Sequence, residues 1–353
     1  MPRYSFPCDL VEIRGASAVR STTDGAIPRR LPAWADRQIP DDLMRFDAAA
    51  AAGVHLAFDT EATFIEVGAL FTRFENARSG QYPTCVELVV DGVLVETVPL
   101  LHGPILRFDD HQIRTMVPGE ATSIRFAKLL MGMKHVEIWL PHAASVELLS
   151  LTTDADVRPS PPDTRPLWVH YGSSISHCME TPTPTSTWPA VAARQLGLTS
   201  LNLGFAGEAM LDPFVAKVIR DTSADLISLK IGVNVVGEQT LSPRGFLTAT
   251  HGYLDTIREN HPTTPIVVIS AIHCPPFENE TDDRALTIPA TREILAQAVA
   301  ARSDDANLHY LDGRHLLGRD DEDLLPDALH PNTRGYGLIG ARFADYATRV
   351  NVL

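Results

Sequence analysis

Up to residue 153 the chain alternates apolar and polar positions in short runs, a pattern typical of strands that bury one face. The runs that predict strands are 54–58, 63–71, 86–90, 93–96, 123–127, 135–140 and 145–151. Asp91-Gly92 separates two of these runs and predicts a two-residue hairpin turn, because glycine tolerates the positive φ that such a turn requires. Many strands with little helical pattern, apart from a short helix at 41–52, predict a β-sandwich of jelly-roll type over residues 1–153.

The pattern changes after a proline-rich stretch at 154–166, which we interpret as a linker because its prolines interrupt both strands and helices. From 167 to 353, apolar runs of strand length alternate with segments whose apolar residues recur every three or four positions. The predicted strands are 167–171, 200–203, 226–231, 265–272 and 308–311, and the predicted helices are 187–196, 212–219, 244–258, 288–301 and 333–350. We therefore predict an α/β domain with a doubly wound parallel sheet, in which functional groups lie at the carboxyl ends of the strands.

Composition narrows the classes of partner. With 44% hydrophobic and 21% charged residues, the 353-residue chain has enough apolar material for two cores. Its net charge of −14 disfavours nucleic acids and anionic membranes as partners. The four cysteines show no paired metal-ligand spacing, and no apolar segment approaches the ~18 residues that can span a bilayer. Because the start of the sequence shows no signal-peptide pattern, we expect a cytoplasmic protein. Because the sequence shows neither a nucleotide-binding loop nor a metal-ligand cluster, we expect no bound metal or other cofactor.

A serine and an aspartate–histidine pair follow two of the predicted strands. Gly172-Ser173-Ser174 comes directly after the first strand of the α/β domain, and Asp327 stands three residues before His330, ahead of the last helix. An aspartate at this distance can accept the Nδ1–H of the imidazole, which leaves Nε2 to take a proton from a serine hydroxyl. Such a trio supports acyl transfer through a covalent acyl-serine. Taken alone, Gly-Ser-Ser is more typical of a helix N-cap.

Two further turns offer groups that can stabilise negative charge. The segment that ends at Gly207 follows the second strand, and a glycine there lets a backbone N–H approach a bound ligand. Gly232-Val233-Asn234 follows the third strand, and a side-chain amide at such a place can donate a hydrogen bond to an oxyanion, which is worth about 3 kcal/mol of barrier in other enzymes. Each motif alone is more typical of an ordinary turn.

Four of these motifs together resemble, in order and spacing, the sequence blocks of the SGNH (GDSL) esterases and acyltransferases, and the residues that carry the resemblance are Ser174, Gly207, Asn234 and His330. The resemblance covers residues 167–350 and implies a flavodoxin-like catalytic domain with Ser174 as nucleophile, His330 as base and Asp327 as its orienting carboxylate. It also implies an oxyanion hole made by the N–H groups of Ser174 and Gly207 and the side chain of Asn234. The N-terminal domain resembles the jelly roll that precedes this domain in some two-domain members, including carbohydrate acetyl esterases.

Two positions depart from the family pattern. Ser173 replaces the usual aspartate before the nucleophile, and we expect its hydroxyl to take some of the hydrogen bonds of that carboxylate. Val235 stands where many members carry aspartate, which removes one polar contact near the site.

Three other histidines lie close to the predicted site. His177 follows Ser174 by three residues, so that the two side chains would share one face of a helix. His273 ends the fourth strand, ahead of a polar loop at 275–283 that is long enough to act as a specificity loop. We interpret His177 and His273 as candidate substrate contacts, and His170, in an apolar strand, as a core histidine that bonds to the backbone.

The expected function is transfer of an acyl group from a small-molecule ester or thioester through acyl-Ser174. Attack by water would make the protein an esterase, a carbohydrate O-deacetylase being one alternative. Attack by a bound hydroxyl would make it an O-acyltransferase, and the chain is similar in architecture to a two-domain member that moves an aryl group from a coenzyme A thioester to a natural-product hydroxyl. An acyl-CoA is then a candidate co-substrate. A glycan-binding protein that has lost catalysis is the other class left open, supported by Ser173 alone.

Overall fold

The computed structural model describes residues 1–77, 80–109, 114–278 and 285–353. This part of the chain forms two compact units. The first consists of Met1–Thr164 and Thr181–Thr185, and the second of Arg165–Glu180 and Ser186–Leu353. In the described ranges, none of the helices combines the length and the apolar character needed to cross a lipid bilayer.

The first unit is built mainly of strands. These are β1 (Arg3–Ser5), β2 (Glu12–Arg14), β3 (Ala18–Ser21), β4 (Ala26–Arg29), β5 (His55–Thr60), β6 (Phe64–Asn76), β7 (Gly80–Gln81), β8 (Cys85–Val90), β9 (Val93–Pro99), β10 (Ile105–Phe108), β11 (Arg114–Val117), β12 (Thr122–Ala127), β13 (Lys134–Trp139), β14 (Ala144–Thr153) and β15 (Val157–Arg158). The predicted helix at 41–52 is present as α1 (Asp42–Ala49). It begins where the Asp41 side chain accepts the Met44 N–H, and it ends because Ala50 becomes extended and bridges to Ser145.

These strands form two sheets around one apolar core. One sheet has the order β11-β10-β6-β14-β4-β3, with β1, β7 and β12 paired at its sides, and the other has the order β15-β5-β13-β8-β9, with β2 on β5. The pairs are antiparallel except that β10 runs parallel to β6. Apolar side chains of both sheets form one buried cluster, which includes Phe58, Phe71, Phe126, Ile138 and Leu148. The prediction of a β-rich N-terminal domain is confirmed.

The Asp-Gly turn joins β8 to β9, as the sequence predicts. Asp91 has φ 50° and Gly92 has φ 78°, so both central residues adopt the left-handed conformation of the tight hairpin turn. The two residues thereby set the pairing register of β8 and β9.

Two segments fall outside their predicted domains. Val157 and Arg158, in the predicted linker 154–166, pair with β5, because the prolines that end the strand come only after them. Thr181–Thr185, in the predicted domain 167–353, belongs to the first unit, where the Thr185 N–H donates to Glu87 Oε2 at 2.9 Å. Sequence alternation carries no signal for either contact.

The second unit is an α/β domain. Its strands are β16 (Leu167–Gly172), β17 (Thr199–Gly204), β18 (Leu226–Lys230), β19 (Ile266–Ile269) and β20 (Leu308–Leu311), and its helices are α2 (Ser174–His177), α3 (Trp188–Leu196), α4 (Pro213–Asp221), α5 (Val233–Gly237), α6 (Pro243–Arg258), α7 (Ile288–Ala300) and α8 (Thr333–Arg349). All four strand pairings are parallel, in the order β17-β16-β18-β19-β20. The predicted doubly wound sheet is confirmed, although β19 is four residues shorter than the predicted 265–272.

Candidate active site

Ser174 is the first residue of α2 and lies just beyond the carboxyl end of β16. Two glycines let this short helix approach the sheet. A Cβ on Gly172 would lie 2.2 Å from Ser176 Oγ, and a Cβ on Gly204 would lie 2.4 Å from the backbone nitrogen of His177. Because side chains cannot make contacts so short, glycine at both positions is what allows α2 to present the Ser174 hydroxyl at the edge of the sheet.

Asp327 and His330 lie in the loop that precedes α8. Ala328 has φ +64°, which turns the chain so that Asp327 Oδ1 accepts the N–H groups of Leu329, at 2.9 Å, and His330, at 2.6 Å. Asp327 Oδ2 lies 2.7 Å from His330 Nδ1. The carboxylate is therefore fixed by the backbone of its own loop, although its side chain is 54% exposed.

The imidazole of His330 connects this loop to the serine. His330 Nε2 lies 2.9 Å from Ser174 Oγ, so the ring bonds to a hydroxyl at one nitrogen and to a carboxylate at the other. Burial lowers the pKa of His330, but the hydrogen bond to Asp327 and the charges of Glu180 and Asp327 outweigh it, and the net pKa lies above the ordinary 6.5. Partial burial raises the pKa of Asp327, yet the hydrogen bonds from His330 and Leu329 hold it well below its usual range. Asp327 is thus a carboxylate, and His330 can exchange a proton near neutral pH.

The predicted oxyanion donors lie on the two strands that flank β16. β17 and β18 pair with β16 on opposite sides, so the turns after them, which contain Gly207 and Asn234, flank the turn that carries Ser174. Gly207 has φ +81°, a conformation that favours glycine. The Ala209 N–H donates to Asn234 Oδ1 at 3.2 Å, which orients the amide so that its Nδ2 group remains as a donor.

Ser173 does not replace the family's aspartate as expected. Its side chain is buried, with 1% of its surface exposed, and within the described residues its Oγ has no hydrogen-bond partner. The expectation that the hydroxyl takes over some hydrogen bonds of the carboxylate is wrong, because a serine side chain is one carbon shorter than aspartate and has a single oxygen. The turn is held instead by the α2 backbone, since the Ser176 N–H donates to Ser173 O at 2.9 Å.

The other histidines have different surroundings. His177 is fully buried, so its ring offers no surface to a substrate in this conformation. His273 is 8% exposed and lies 3.2 Å from Glu278 and 3.4 Å from Glu322; part of the loop predicted to follow it, 279–283, lies outside the described residues. His170 is a core residue with a backbone hydrogen bond at Ser228, as expected. Its ring also bonds to the hydroxyls of Ser228 and Ser176. Burial, together with the charge of Lys230, lowers the pKa of His170 to about 3, so the ring is neutral.

Two groups near His330 were not among the residues that the sequence motifs predict. Glu180 Oε1 lies 3.7 Å from His330 Nε2, and its Oε2 accepts a 2.7 Å hydrogen bond from the hydroxyl of Tyr336 on α8. Lys230, the last residue of β18, is almost fully buried, and burial lowers its pKa to about 8. In the sequence, a lysine at the end of an otherwise apolar strand is a signal that could have indicated a charged group near His330.

Comparison with known proteins defines the class. A family model described as the GDSL-like lipase/acylhydrolase family matches residues 170–338, which span the strands and turns that carry Ser174, Asn234 and His330. The second unit therefore belongs to this family, and the protein is an enzyme of the SGNH (GDSL) type, as the sequence motifs predict. A search of curated proteins gave no match.

Solved structures extend the likeness over both units. The salicylyl acyltransferase SsfX3, from a tetracycline biosynthetic pathway, is 27% identical, with a TM-score of 0.88 over 100% of this chain and 98% of that one. A GDSL-like lipase from Bacteroides ovatus is 20% identical, with a TM-score of 0.77 over 99% and 98% of the two chains. A family two carbohydrate esterase from Clostridium thermocellum, solved with cellohexaose, is 13% identical, with a TM-score of 0.64 over 97% and 100%. The last two likenesses are evidence of fold alone.

Proposed function

We propose that the protein is an O-acyltransferase that moves an acyl group, through acyl-Ser174, from a small thioester or ester to a hydroxyl of a small-molecule acceptor. The main observation in support of this proposal is the position of the His330 ring between two groups. Its Nε2 lies 2.9 Å from Ser174 Oγ, and its Nδ1 lies 2.7 Å from Asp327 Oδ2. A neutral imidazole in this arrangement can take the hydroxyl proton at Nε2 while its Nδ1–H donates to the carboxylate.

Acylation begins when Ser174 Oγ attacks the carbonyl carbon of the donor and His330 accepts the hydroxyl proton. The negative charge that develops on the carbonyl oxygen meets the N–H groups of Ser174 and Gly207 and the Asn234 amide. In the described chain, neither of these N–H groups donates to another protein group, so both remain available to the oxyanion. His330 then gives its proton to the leaving thiolate or alkoxide, and the acyl group stays on Ser174 as an ester.

Deacylation repeats these steps with a new nucleophile. His330 removes a proton from the acceptor hydroxyl, whose oxygen attacks the acyl-serine, and the proton returns to Ser174 Oγ. Transfer rather than hydrolysis is supported by the likeness to SsfX3, which is 27% identical and covers both chains almost completely. The donor class that we propose is an acyl-CoA, and the acceptor class is an alcohol of a small natural product. Hydrolysis by the same steps, including removal of acetyl groups from carbohydrates, is the alternative outcome.

The acyl-enzyme can be tested directly by intact mass. The protein is mixed with a panel of aryl and alkyl CoA thioesters and p-nitrophenyl esters and quenched in acid after milliseconds to seconds. We expect the added mass of one acyl group in the wild type and in Ser173→Ala, and none in Ser174→Ala. Ser173→Ala is the matched control, because it removes a neighbouring hydroxyl without touching His330. An adduct that survives in Ser174→Ala would contradict the assignment.

A second experiment separates transfer from hydrolysis. The best donor of the panel is supplied with a series of phenolic, polyketide and sugar alcohols, and the free acid and the new ester are both quantified. Ester formation that grows with acceptor concentration at the expense of free acid supports the acyltransferase. Free acid as the sole product with every acceptor would make the protein an esterase.

A further inference from the structure

A carboxylate that no sequence motif includes lies beside the reacting nitrogen of His330. Glu180 Oε1 is 3.7 Å from His330 Nε2, on the side of the ring where Ser174 Oγ lies at 2.9 Å, whereas Asp327 contacts Nδ1. The imidazole therefore lies between two carboxylates. We propose that Glu180 is a second positioning residue for His330, which stabilises the imidazolium from its Nε2 side while Asp327 does so from its Nδ1 side.

The structure holds the Glu180 carboxylate in place. The hydroxyl of Tyr336 donates to Glu180 Oε2 at 2.7 Å, and the Tyr336 side chain is fully buried in α8. Burial, followed by the nearby charge of Glu180, raises the pKa of Tyr336 well above its ordinary value, so the phenol stays a neutral donor. The Glu180 side chain is 24% exposed, which keeps it in contact with the medium on one side but gives its charge less screening than a surface residue has.

The distance suits an electrostatic role. At 3.7 Å, Glu180 Oε1 is too far from Nε2 to form a hydrogen bond, so it does not compete with Ser174 Oγ for that nitrogen. When Nε2 takes the serine proton, its N–H points to the oxygen of the serine or the leaving group, and the Glu180 charge acts on the ring through space. The carboxylate thus favours the protonated ring that forms during acylation and again during deacylation.

Four groups act on the charge of His330 from the elements packed around it. They are Asp327 on its own loop, Glu180 after α2, Ser174 at the start of α2 and Lys230 at the end of β18. Burial and Lys230 lower the pKa of His330, and the two carboxylates raise it. Removal of the Glu180 charge must therefore move the protonation midpoint of His330 to lower pH.

The test is the pH dependence of kcat/KM for a neutral p-nitrophenyl ester, measured with Glu180→Gln. Because this inference rests on the proposed function, the titration of the His330 ring is followed in parallel by NMR, with the signal assigned from its loss in His330→Ala. We expect both midpoints to move to lower pH in Glu180→Gln, and the limiting kcat/KM at high pH to fall about fivefold, as for the loss of one part-exposed charge interaction. Glu259→Gln is the matched control, since Glu259 pairs with Arg220 on the surface and should leave both midpoints where they are.

The outcomes distinguish the two proposals. An NMR midpoint of Glu180→Gln that coincides with those of the wild type and Glu259→Gln overturns the role of Glu180, whatever the activity. If the NMR midpoint of His330 shifts in Glu180→Gln but the wild-type protein forms no acyl-enzyme, the electrostatic effect of Glu180 on the ring stands and the proposed acyl transfer is refuted. If Glu180→Gln does not fold, Tyr336→Phe carries the test, because it removes only the hydroxyl that holds the carboxylate. The midpoint of Tyr336→Phe should move in the same direction by a smaller amount, and an unchanged midpoint there also contradicts the proposal.

Discussion

At the scale of single residues, the site depends on how one loop of four residues is folded. Asp327 is more than half exposed, yet its carboxylate accepts two backbone N–H groups of its own loop and the Nδ1–H of His330. Charge-assisted bonds of this kind keep the aspartate ionised over the range in which His330 titrates. The spacing of three residues in the sequence is enough to predict this contact, because it depends only on local chain geometry.

Replacement of Asp327 by asparagine removes the negative charge but keeps a side chain of nearly the same size and shape. The asparagine side chain can still accept backbone N–H groups, but without the charge the imidazolium loses its main partner. We expect Asp327→Asn to lower kcat about 10²- to 10⁴-fold with little change in the binding of a substrate analogue, and to move the pH midpoint of any remaining activity downward. Steady-state kinetics from pH 5 to 9, roughly the range around a histidine pKa, would check both effects. A variant that keeps the wild-type kcat would show that the contact is structural only.

At the scale of elements, the five strands and the five longer helices of the second unit could be predicted, because the strands are apolar and these helices show regular apolar spacing. The short helices α2 and α5 were not predicted, because four or five residues are too few to show a helical period. Ser174 and Asn234 follow from that pattern, since turns after neighbouring parallel strands meet at one edge of the sheet. Glu180 could not be predicted, because its place depends on Tyr336, 156 residues away on α8. The strand at Val157–Arg158 could not be predicted either, since two residues carry no periodicity. The lack of a hydrogen-bond partner for the Ser173 hydroxyl within the described residues could not be predicted either, because it depends on how the surrounding side chains pack.

The close packing of α2 on β17 requires a glycine at position 204. Gly204→Ala places a Cβ 2.4 Å from the His177 nitrogen and 2.5 Å from Ser176 C, so either α2 or β17 must shift. We expect a loss of about 1–3 kcal/mol in the free energy of unfolding and slower acylation of Ser174. Gly252→Ala in α6 is the control, because nothing lies within 4 Å of its new Cβ and alanine favours a helix. Denaturant unfolding and acylation rates would be compared, and equal behaviour of the two variants would exclude a role for Gly204 in placing α2.

At the scale of the whole molecule, the chain combines a β-rich unit and an α/β unit, each with its own buried apolar core. The groups assigned to acyl transfer, Ser174, Gly207, Asn234, Asp327 and His330, all belong to the second unit. The net charge of −14 acts on any charged donor that approaches. An acyl-CoA carries several phosphate charges and is repelled by a field of this sign, whereas a neutral ester of the same acid is not.

This difference predicts that salt affects the two donors differently. Between about 10 mM and 150 mM salt the Debye length falls from about 30 Å to about 8 Å, so long-range repulsion between protein and coenzyme A is screened. We expect KM for the acyl-CoA to fall about twofold or more over this range, while KM for the p-nitrophenyl ester of the same acid stays constant. A KM for the acyl-CoA that rises with salt would point instead to a local basic surface that receives the phosphates.

The activation of Ser174 by His330 can be measured as the rate of covalent labelling by a neutral alkyl fluorophosphonate. The reagent needs an activated serine but no knowledge of the natural substrate. We expect a single adduct on the peptide that contains Ser174, formed about 100-fold or more slowly in His330→Ala and absent in Ser174→Ala. Equal labelling rates in the wild type and His330→Ala, or an adduct on another residue, would show that His330 does not activate Ser174.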